Sequence, residues 1–221
     1  MIFKQSFLAA TIVAIGISAA MVPAAANEIG KVKVLVEYGY STAPGADRAP
    51  IYVRDDVIAE SLLETARDGR MDIEFDDKTR LIVGPNSTVK LDDFVYDSNK
   101  SSGEVAVNLS LGILRFVTGR LSSQSYKVKT STATMGVRGT DFVVQVDEAG
   151  ATTVSVLDGE VSMTSVGGDD ALVGAGSTGS TSGSVVSVSP TTGLPSVATA
   201  SFGEDEPATD SADGDDGGSS Y

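Results

Sequence analysis

Apolar and polar residues alternate in segment after segment of this chain, and a period of two is typical of β-strands that bury one face. Successive side chains of a strand point to opposite sides, so every second residue can enter a core while its neighbours remain in solvent. The alternating apolar positions are Val32, Val34 and Val36; Met71, Ile73 and Phe75; Val105, Val107, Leu109 and Leu111; Phe142, Val144 and Val146; Val154 and Val156; and Val161 and Met163. These segments predict an all-β fold.

Turn signals separate the later strands. Asp147 to Gly150 and Asp158-Gly159 interrupt the alternation, and Asp and Gly are residues that turns favour. Such signals recur at intervals of about 8 to 12 residues, which suits a sandwich, a barrel or a β-solenoid and disfavours βαβ units.

The segment from Asp55 to Arg67 does not alternate. Val57, Ile58, Leu62 and Leu63 lie near helical spacing, with good helix formers between them. Taken alone, the segment indicates a short helix, and the competing interpretation is two short extended pieces. Periodicity over so few residues leaves both open.

The first 26 residues have the three parts of a secretory signal peptide. Lys4 supplies the positive charge, residues 7–21 form an apolar stretch of 15, and residues 24–26 are alanines that suit a cleavage site. An uncleaved membrane anchor is the alternative, but spanning a bilayer takes about 20 apolar residues. We therefore expect a product that begins near Asn27, has no stable membrane span, and is periplasmic or secreted.

Charge and composition exclude several functions. The 221 residues include 16 Lys plus Arg against 30 Asp plus Glu, a formal charge of −14, so non-specific binding to nucleic acid is excluded. The chain has neither His nor Cys, which removes Ser-His-Asp triads, Cys-His pairs and ordinary zinc sites. We expect no enzyme activity, no cofactor and no metal.

The C-terminal part changes in composition. Gly, Ser and Thr dominate residues 174–201, and seven acidic residues with no basic ones follow from Gly203 to the end. Such a segment cannot bury enough apolar surface to order itself. We expect a β domain over residues 27–195 and a disordered acidic tail over residues 196–221.

The run Thr132–Phe142 contains two glycines that bracket an arginine, Arg138, beside Asp141. A glycine-rich loop can bind phosphate through its backbone N–H groups. However, neither the P-loop spacing nor the dinucleotide-binding spacing is present, and the run leads into a strand rather than a helix. We favour a structural corner in which Arg138 pairs with a carboxylate.

Two consecutive segments resemble the FecR domain, named for the exported part of the iron-citrate transport regulator. They are Thr130–Phe142, reading TSTATMGVRGTDF, and the strand-turn-strand sequence VVQVDEAGATTVSVLDGEVSM that follows it. The earlier segment from Phe75 to Leu81 is similar to the family's Phe-x-Asp-x-Thr-x-Leu pattern, and Gly112 to Gly119 fits its Gly-x-x-Arg-Phe segment. The resemblance covers roughly residues 28–195. Its motif residues are Phe75, Asp77, Thr79, Leu81, Gly84, Pro85, Asn86, Ser87, Gly112, Arg115, Phe116, Gly136, Arg138, Gly139, Thr140, Asp141, Phe142 and Gly159.

The resemblance implies a β-solenoid or closely related β-helical fold, and it implies extended chain rather than helix between Asp55 and Arg67. It also implies structural roles for the motif residues and a binding partner in the cell envelope. Full-length regulators of this family carry a cytoplasmic sigma-factor-binding segment and a membrane helix before the exported domain, whereas a signal peptide precedes it here. Binding to another envelope or surface protein therefore carries over, while a role in sigma-factor control does not follow.

Acidic groups give weaker alternatives. The doublets Asp76-Asp77 and Asp92-Asp93 could supply glycosidase carboxylates, but adjacent strand residues point to opposite faces, so we expect turn residues and edge charges. Residues 167–176 and the acidic tail faintly resemble calcium motifs, but neither has the required register. We therefore expect a protein-interaction or sensing module. A structural surface protein and a carboxylate-dependent enzyme acting on envelope glycans are the alternatives.

Overall fold

The computed structural model describes residues 27–97, 102–121 and 125–202. The predicted signal peptide and the acidic part of the tail from residue 203 onward lie outside these residues. The described chain is all-β, as predicted, apart from one short 3-10 helix, η1. The elements are β1 Glu28–Val36, β2 Gly39–Thr42, β3 Ala49–Ile51, β4 Asp56–Ile58, β5 Leu62–Thr65, β6 Arg70–Phe75, β7 Arg80–Val83, β8 Thr88–Asp97, β9 Ser102–Val117, β10 Tyr126–Lys129, β11 Ala133–Val146, β12 Thr152–Ser165, β13 Asp170–Gly174, β14 Ser177–Thr181, β15 Ser187–Pro190 and η1 Ser196–Ala198.

The strands are joined in one sheet, and part of it closes into a five-stranded barrel. The main path of hydrogen-bonded neighbours runs β15-β14-β12-β11-β10-β9-β7-β6-β1-β4. Among the described strands, only the pair β9 and β10 is parallel. The β-solenoid that the family resemblance implied is not confirmed, because hairpin-like antiparallel pairing dominates where a solenoid would stack parallel coils.

Two long strands, β9 and β11, connect two halves of this sheet: β8 and β10 belong to one half, and β7 belongs to the other. The first half of β9 pairs with β8 and β10, and its second half pairs with β7 and β11. Gly112 lies between the halves with φ of 96°, a left-handed conformation that glycine adopts at little cost. In β11 the register shifts between Arg138 and Phe142, next to Gly139 with φ of 58°. The two glycines therefore mark the points where the long strands bend.

The alternating residues form one main core. Met71, Ile73 and Phe75 are all buried, as are Phe142, Val144 and Val146. Strand β1 departs from the prediction, because a register shift between Val32 and Val34 reverses which side faces inward. Leu35 consequently packs against the core, and Val36 is 44% exposed.

Two further local predictions are resolved. Between Asp55 and Arg67 the chain forms β4 and β5, so the helical interpretation is wrong and the extended one is confirmed. Glu60, with φ of 60°, interrupts any helical path there. Asp158-Gly159 does not turn the chain: β12 continues through it, and Gly159 forms a bulge opposite Gly139 instead.

A second, smaller apolar cluster lies on the other face of β7, β9 and β11. Ile82 and Val143 are buried there beneath Val197 and Ala198, which belong to the first residues of the predicted tail. Residues 196–202 therefore pack on the domain. Within the described ranges, no helix has the length and apolar character required to cross a membrane.

Candidate functional site

Asp77, in the turn between β6 and β7, is the centre of a buried hydrogen-bond network. Its side chain accepts bonds from the Thr79 N–H at 2.9 Å, from the Thr79 hydroxyl at 2.7 Å and from the Tyr126 hydroxyl at 2.9 Å. The Tyr126 hydroxyl in turn accepts from the Leu121 N–H at 2.9 Å, and the Thr79 hydroxyl accepts from the Gly119 N–H at 3.1 Å. The network ties the β6–β7 turn to the connection between β9 and β10.

This burial corrects the sequence interpretation of the Asp76-Asp77 doublet. Both residues lie in the turn, as predicted, but only Asp76 is exposed; Asp77 has no exposed surface. Three protein donors take the place of water around the side chain, and such hydrogen bonds offset the cost of burying a polar group. Asp77 is therefore an internal anchor of the fold and not an edge charge.

Removal of the Tyr126 hydroxyl gives a pH-dependent test of the network. Burial is the main cause that raises the pKa of Tyr126 to about 12. A group whose pKa is higher in the folded state stabilises the fold below its ordinary pKa of about 10, and that stability is lost as pH rises toward the folded value. We expect the free energy of unfolding of wild type to exceed that of Tyr126→Phe by about 1 to 3 kcal/mol at pH 8. This difference should disappear between pH 10 and 12.

The measurement is the free energy of unfolding in urea, for both proteins, at several pH values. Tyr126→Phe is the control for the effect of high pH on all other titratable groups, because the two proteins differ only in the Tyr126 hydroxyl. A gap that stays constant up to pH 12 would contradict a buried, hydrogen-bonded Tyr126.

Gly84, Ser87 and Gly112 form a second corner together with Thr65, a residue outside the family motif. The Thr65 hydroxyl donates to the Gly84 carbonyl at 2.6 Å and accepts from the Ser87 N–H at 3.0 Å. The Ser87 hydroxyl accepts from the Ile113 N–H at 2.9 Å, where β9 bends. Short polar side chains thus satisfy backbone groups that the bent strand leaves without ladder partners.

Gly112→Ala is expected to destabilise the protein strongly, by about 2 to 4 kcal/mol. A Cβ at this position would collide with the Ser87 side chain and backbone, and the φ of 96° is unfavourable for alanine. Thermal unfolding followed by circular dichroism measures the effect. Gly136→Ala is the matched control, since a Cβ there meets no atom within 4 Å; equal losses in the two variants would refute the corner.

The run Thr132–Phe142, predicted to be a structural corner, lies almost wholly in β11, at the place where the register of that strand shifts. The Thr140 N–H donates to the Thr118 hydroxyl at 2.9 Å, and the Thr140 hydroxyl donates to the Glu160 carbonyl at 3.1 Å. Gly159 packs so closely that a Cβ would lie 2.5 Å from the Gly139 carbonyl oxygen. The predicted pairing of the Arg138 side chain falls outside the described atoms.

Arg115 and Asp141 form a two-pronged ion pair between β9 and β11. The Arg115 Nε and Nη2 donate to the two Asp141 oxygens at 2.8 and 2.6 Å. The Asp141 carboxylate raises the pKa of Arg115 above its already high ordinary value, chiefly through these hydrogen bonds. The guanidinium is therefore permanently charged and held in one orientation.

The remaining motif residues are core or turn positions. Phe75, Leu81, Phe116 and Phe142 are buried. The Phe116 ring lies 5.6 Å from Phe142 and 5.9 Å from Tyr126, between centroids. Pro85 and Asn86 are exposed in the turn after β7, where Asn86 has a φ of 49° that asparagine tolerates.

The motif residues are gathered into separate corners and not into one open reactive cleft. Across the described ranges, no group of three or more carboxylates is placed to hold a metal ion. The buried Asp77 is saturated by donors, and Asp141 is paired with Arg115. What this arrangement does is hold bent strands in place.

Comparison with known proteins gives one family match. Two crystal structures of a proposed anti-sigma factor from Parabacteroides distasonis ATCC 8503 are also similar at 13% identity, with TM-scores of 0.47 and 0.46. The similarity covers 58% of this chain and 59% of the solved chain, so only part of that protein's length is spanned. No curated protein matches. The family model described as FecR protein matches residues 61–162, so the resemblance to the FecR domain is confirmed over this central part of the chain.

Proposed function

We propose that the protein is a non-catalytic sensing or regulatory module of the cell envelope that acts by docking another protein. The family match over residues 61–162 is the observation that carries this proposal. Several polar motif residues support it, since their side chains are hydrogen-bonded within the fold. They are Asp77, Thr79, Ser87, Arg115, Thr140 and Asp141.

The predicted signal peptide supports a location outside the cytoplasm. Residues 1–26 are proposed to direct export and then to be removed, so that the β domain works in the periplasm or outside the cell. The division into a β domain over residues 27–195 and a tail after it belongs to the same proposal, with the first residues of that tail, 196–202, packed on the domain.

The end of the sheet offers a place for a partner. β15 ends the main path of strand pairing, and all four of its residues are exposed. An exposed edge can accept an added strand from another chain. Pro190 lacks an N–H, so strand addition would use residues 187–189.

In-cell photo-crosslinking tests the proposal. A photo-reactive residue is placed singly at three exposed positions, Asn86, Asp158 and Ser189, and the products are identified by mass spectrometry. We expect one dominant envelope protein from at least one position, and the same variants without irradiation are the control. Crosslinks only to copies of the same chain, or none, would overturn docking and favour a structural surface role.

A further inference from the structure

The segment Pro195–Phe202 lies on the outer face of the sheet, the side away from the main core. Asp72, Ile82, Arg115 and Val143 are successive partners across β6, β7, β9 and β11, so their side chains share this face. Their neighbours in sequence point into the main core. The outer face therefore has an apolar centre with charged groups around it.

Apolar contacts fill the centre of this face. Val197 and Ala198 are 3% and 5% exposed, and they cover Ile82 and Val143. Gly84 makes the space: a Cβ there would lie 2.5 Å from the Ile113 Cγ2 atom and 2.8 Å from the Val197 Cγ1 atom. The centre is thus a slot, and it is shaped for one small branched side chain.

Polar contacts hold the backbone of the segment. Arg115 donates from Nη1 to the Ala200 carbonyl at 3.0 Å, and Arg70 donates from Nη2 to the Ser201 carbonyl at 2.6 Å. Asp141 and Asp72 orient these two guanidinium groups through separate hydrogen bonds. Because both acceptors are main-chain carbonyls, these bonds do not depend on which residues carry them.

Phe202 closes the segment. Its ring centre lies 5.1 Å from the Arg80 guanidinium carbon and 5.2 Å from that of Arg115, within the range of cation–π attraction. The outer face therefore contacts three features of the segment: the small apolar side chain of Val197, two backbone carbonyls, and the aromatic ring of Phe202, five residues after Val197.

The segment is attached in a way that allows exchange. β15 ends at Pro190, and the Thr191 N–H still donates to the Gly176 carbonyl at 2.9 Å. Residues 192–195 then have no strand pairing before η1 begins at Ser196. Lifting the segment breaks no strand ladder and leaves the main core untouched.

We propose that this outer face is a peptide-docking groove, filled in cis by residues 195–202, and that a partner protein docks by inserting a segment of the same chemistry. That chemistry is a valine-sized apolar residue followed, five positions later, by an aromatic residue. The proposal rests on the proposed docking function and names the surface and the kind of partner segment. The cis segment competes with the partner and lowers its apparent affinity.

The test uses the full chain and a fluorescent peptide of residues 194–203, LPSVATASFG. The opened variant is V197S/F202A, which weakens the cis segment and leaves the groove intact. The blocked variant is G84A/V197S/F202A, in which the added Cβ narrows the slot for valine. Fluorescence anisotropy measures peptide binding to wild type and to both variants, with a scrambled peptide as control.

We expect the opened variant to bind the peptide at least about 10-fold more tightly than wild type, and the blocked variant and scrambled peptide to show little binding. Circular dichroism checks folding, and F202A alone replaces the opened variant if the double substitution unfolds. Equal binding by wild type and opened chain, or by opened and blocked chains, overturns the proposal.

Two further results separate the possible occupants. Sedimentation of wild type as a dimer that the peptide dissociates would assign the groove to a second copy and overturn the partner assignment. If in-cell crosslinking captures a partner but the opened chain does not bind the peptide, the groove proposal is refuted. The proposed docking function would then remain intact.

Discussion

Replacing Val144 with aspartate is expected to leave the protein unfolded at room temperature. Val144 has no exposed surface and lies in β11 between Leu114 of β9 and Val154 of β12. A carboxylate at this position has no partner in the apolar core, and burying an unpaired charge costs several kcal/mol. Because a domain's total stability is about 5 to 15 kcal/mol, most of it would be lost.

Circular dichroism and thermal unfolding measure this effect. Gln145→Asp is the matched control, because Gln145 is the next residue of the same strand and its side chain is exposed on the opposite side. We expect the control to melt within a few degrees of wild type. A Val144→Asp protein with an unchanged melting temperature would refute the placement of β11 in the core.

Asp77→Ala is expected to lower the free energy of unfolding by about 3 to 5 kcal/mol. The substitution removes the acceptor for three donors, the Thr79 N–H and the hydroxyls of Thr79 and Tyr126. Tyr126 is 1% exposed and Thr79 is fully buried, so water cannot replace the carboxylate without disturbing the packing. The connection between β9 and β10 loses its anchor to the β6–β7 turn.

The neighbouring Asp76 provides the control for charge and for turn position. Asp76→Ala removes the same group one residue earlier, where the side chain is exposed, and we expect a change of less than about 0.5 kcal/mol. Urea unfolding of both variants gives the comparison. Similar losses from Asp76→Ala and Asp77→Ala would show that the buried network adds little to stability.

The strands were predictable because burial of one face leaves a local mark. Met71, Ile73 and Phe75 alternate with acidic residues and are buried as expected. Alternation could not reveal a bulge, since one extra residue reverses the two faces without changing the composition; this is why Val36 was assigned inward and is exposed. For the same reason the bulge at Gly159 was interpreted as a turn.

The polar corners were only partly predictable. Family resemblance marked Asp77 and Thr79, but their partner Tyr126 is 49 residues away from Asp77, and no local pattern connects them. The outer face did leave a signal. Leu81-Ile82-Val83 and Phe142-Val143-Val144 are continuous apolar runs, which indicate strands covered on both faces. The cover itself, residues 196–202, has a composition typical of a tail.

The bent strands β9 and β11 also determine how the domain comes apart. β9 is hydrogen-bonded to β7, β8, β10 and β11, and β11 reaches from β10 at one end to β9 at the other. Both halves of the sheet are hydrogen-bonded to β9 and β11. Separating the halves therefore breaks hydrogen bonds along one of these two strands. The most protected backbone amides of both halves should therefore exchange with solvent only in one common opening event. A mechanical force applied to one half of the sheet would be transmitted along β9 and β11 to the other half.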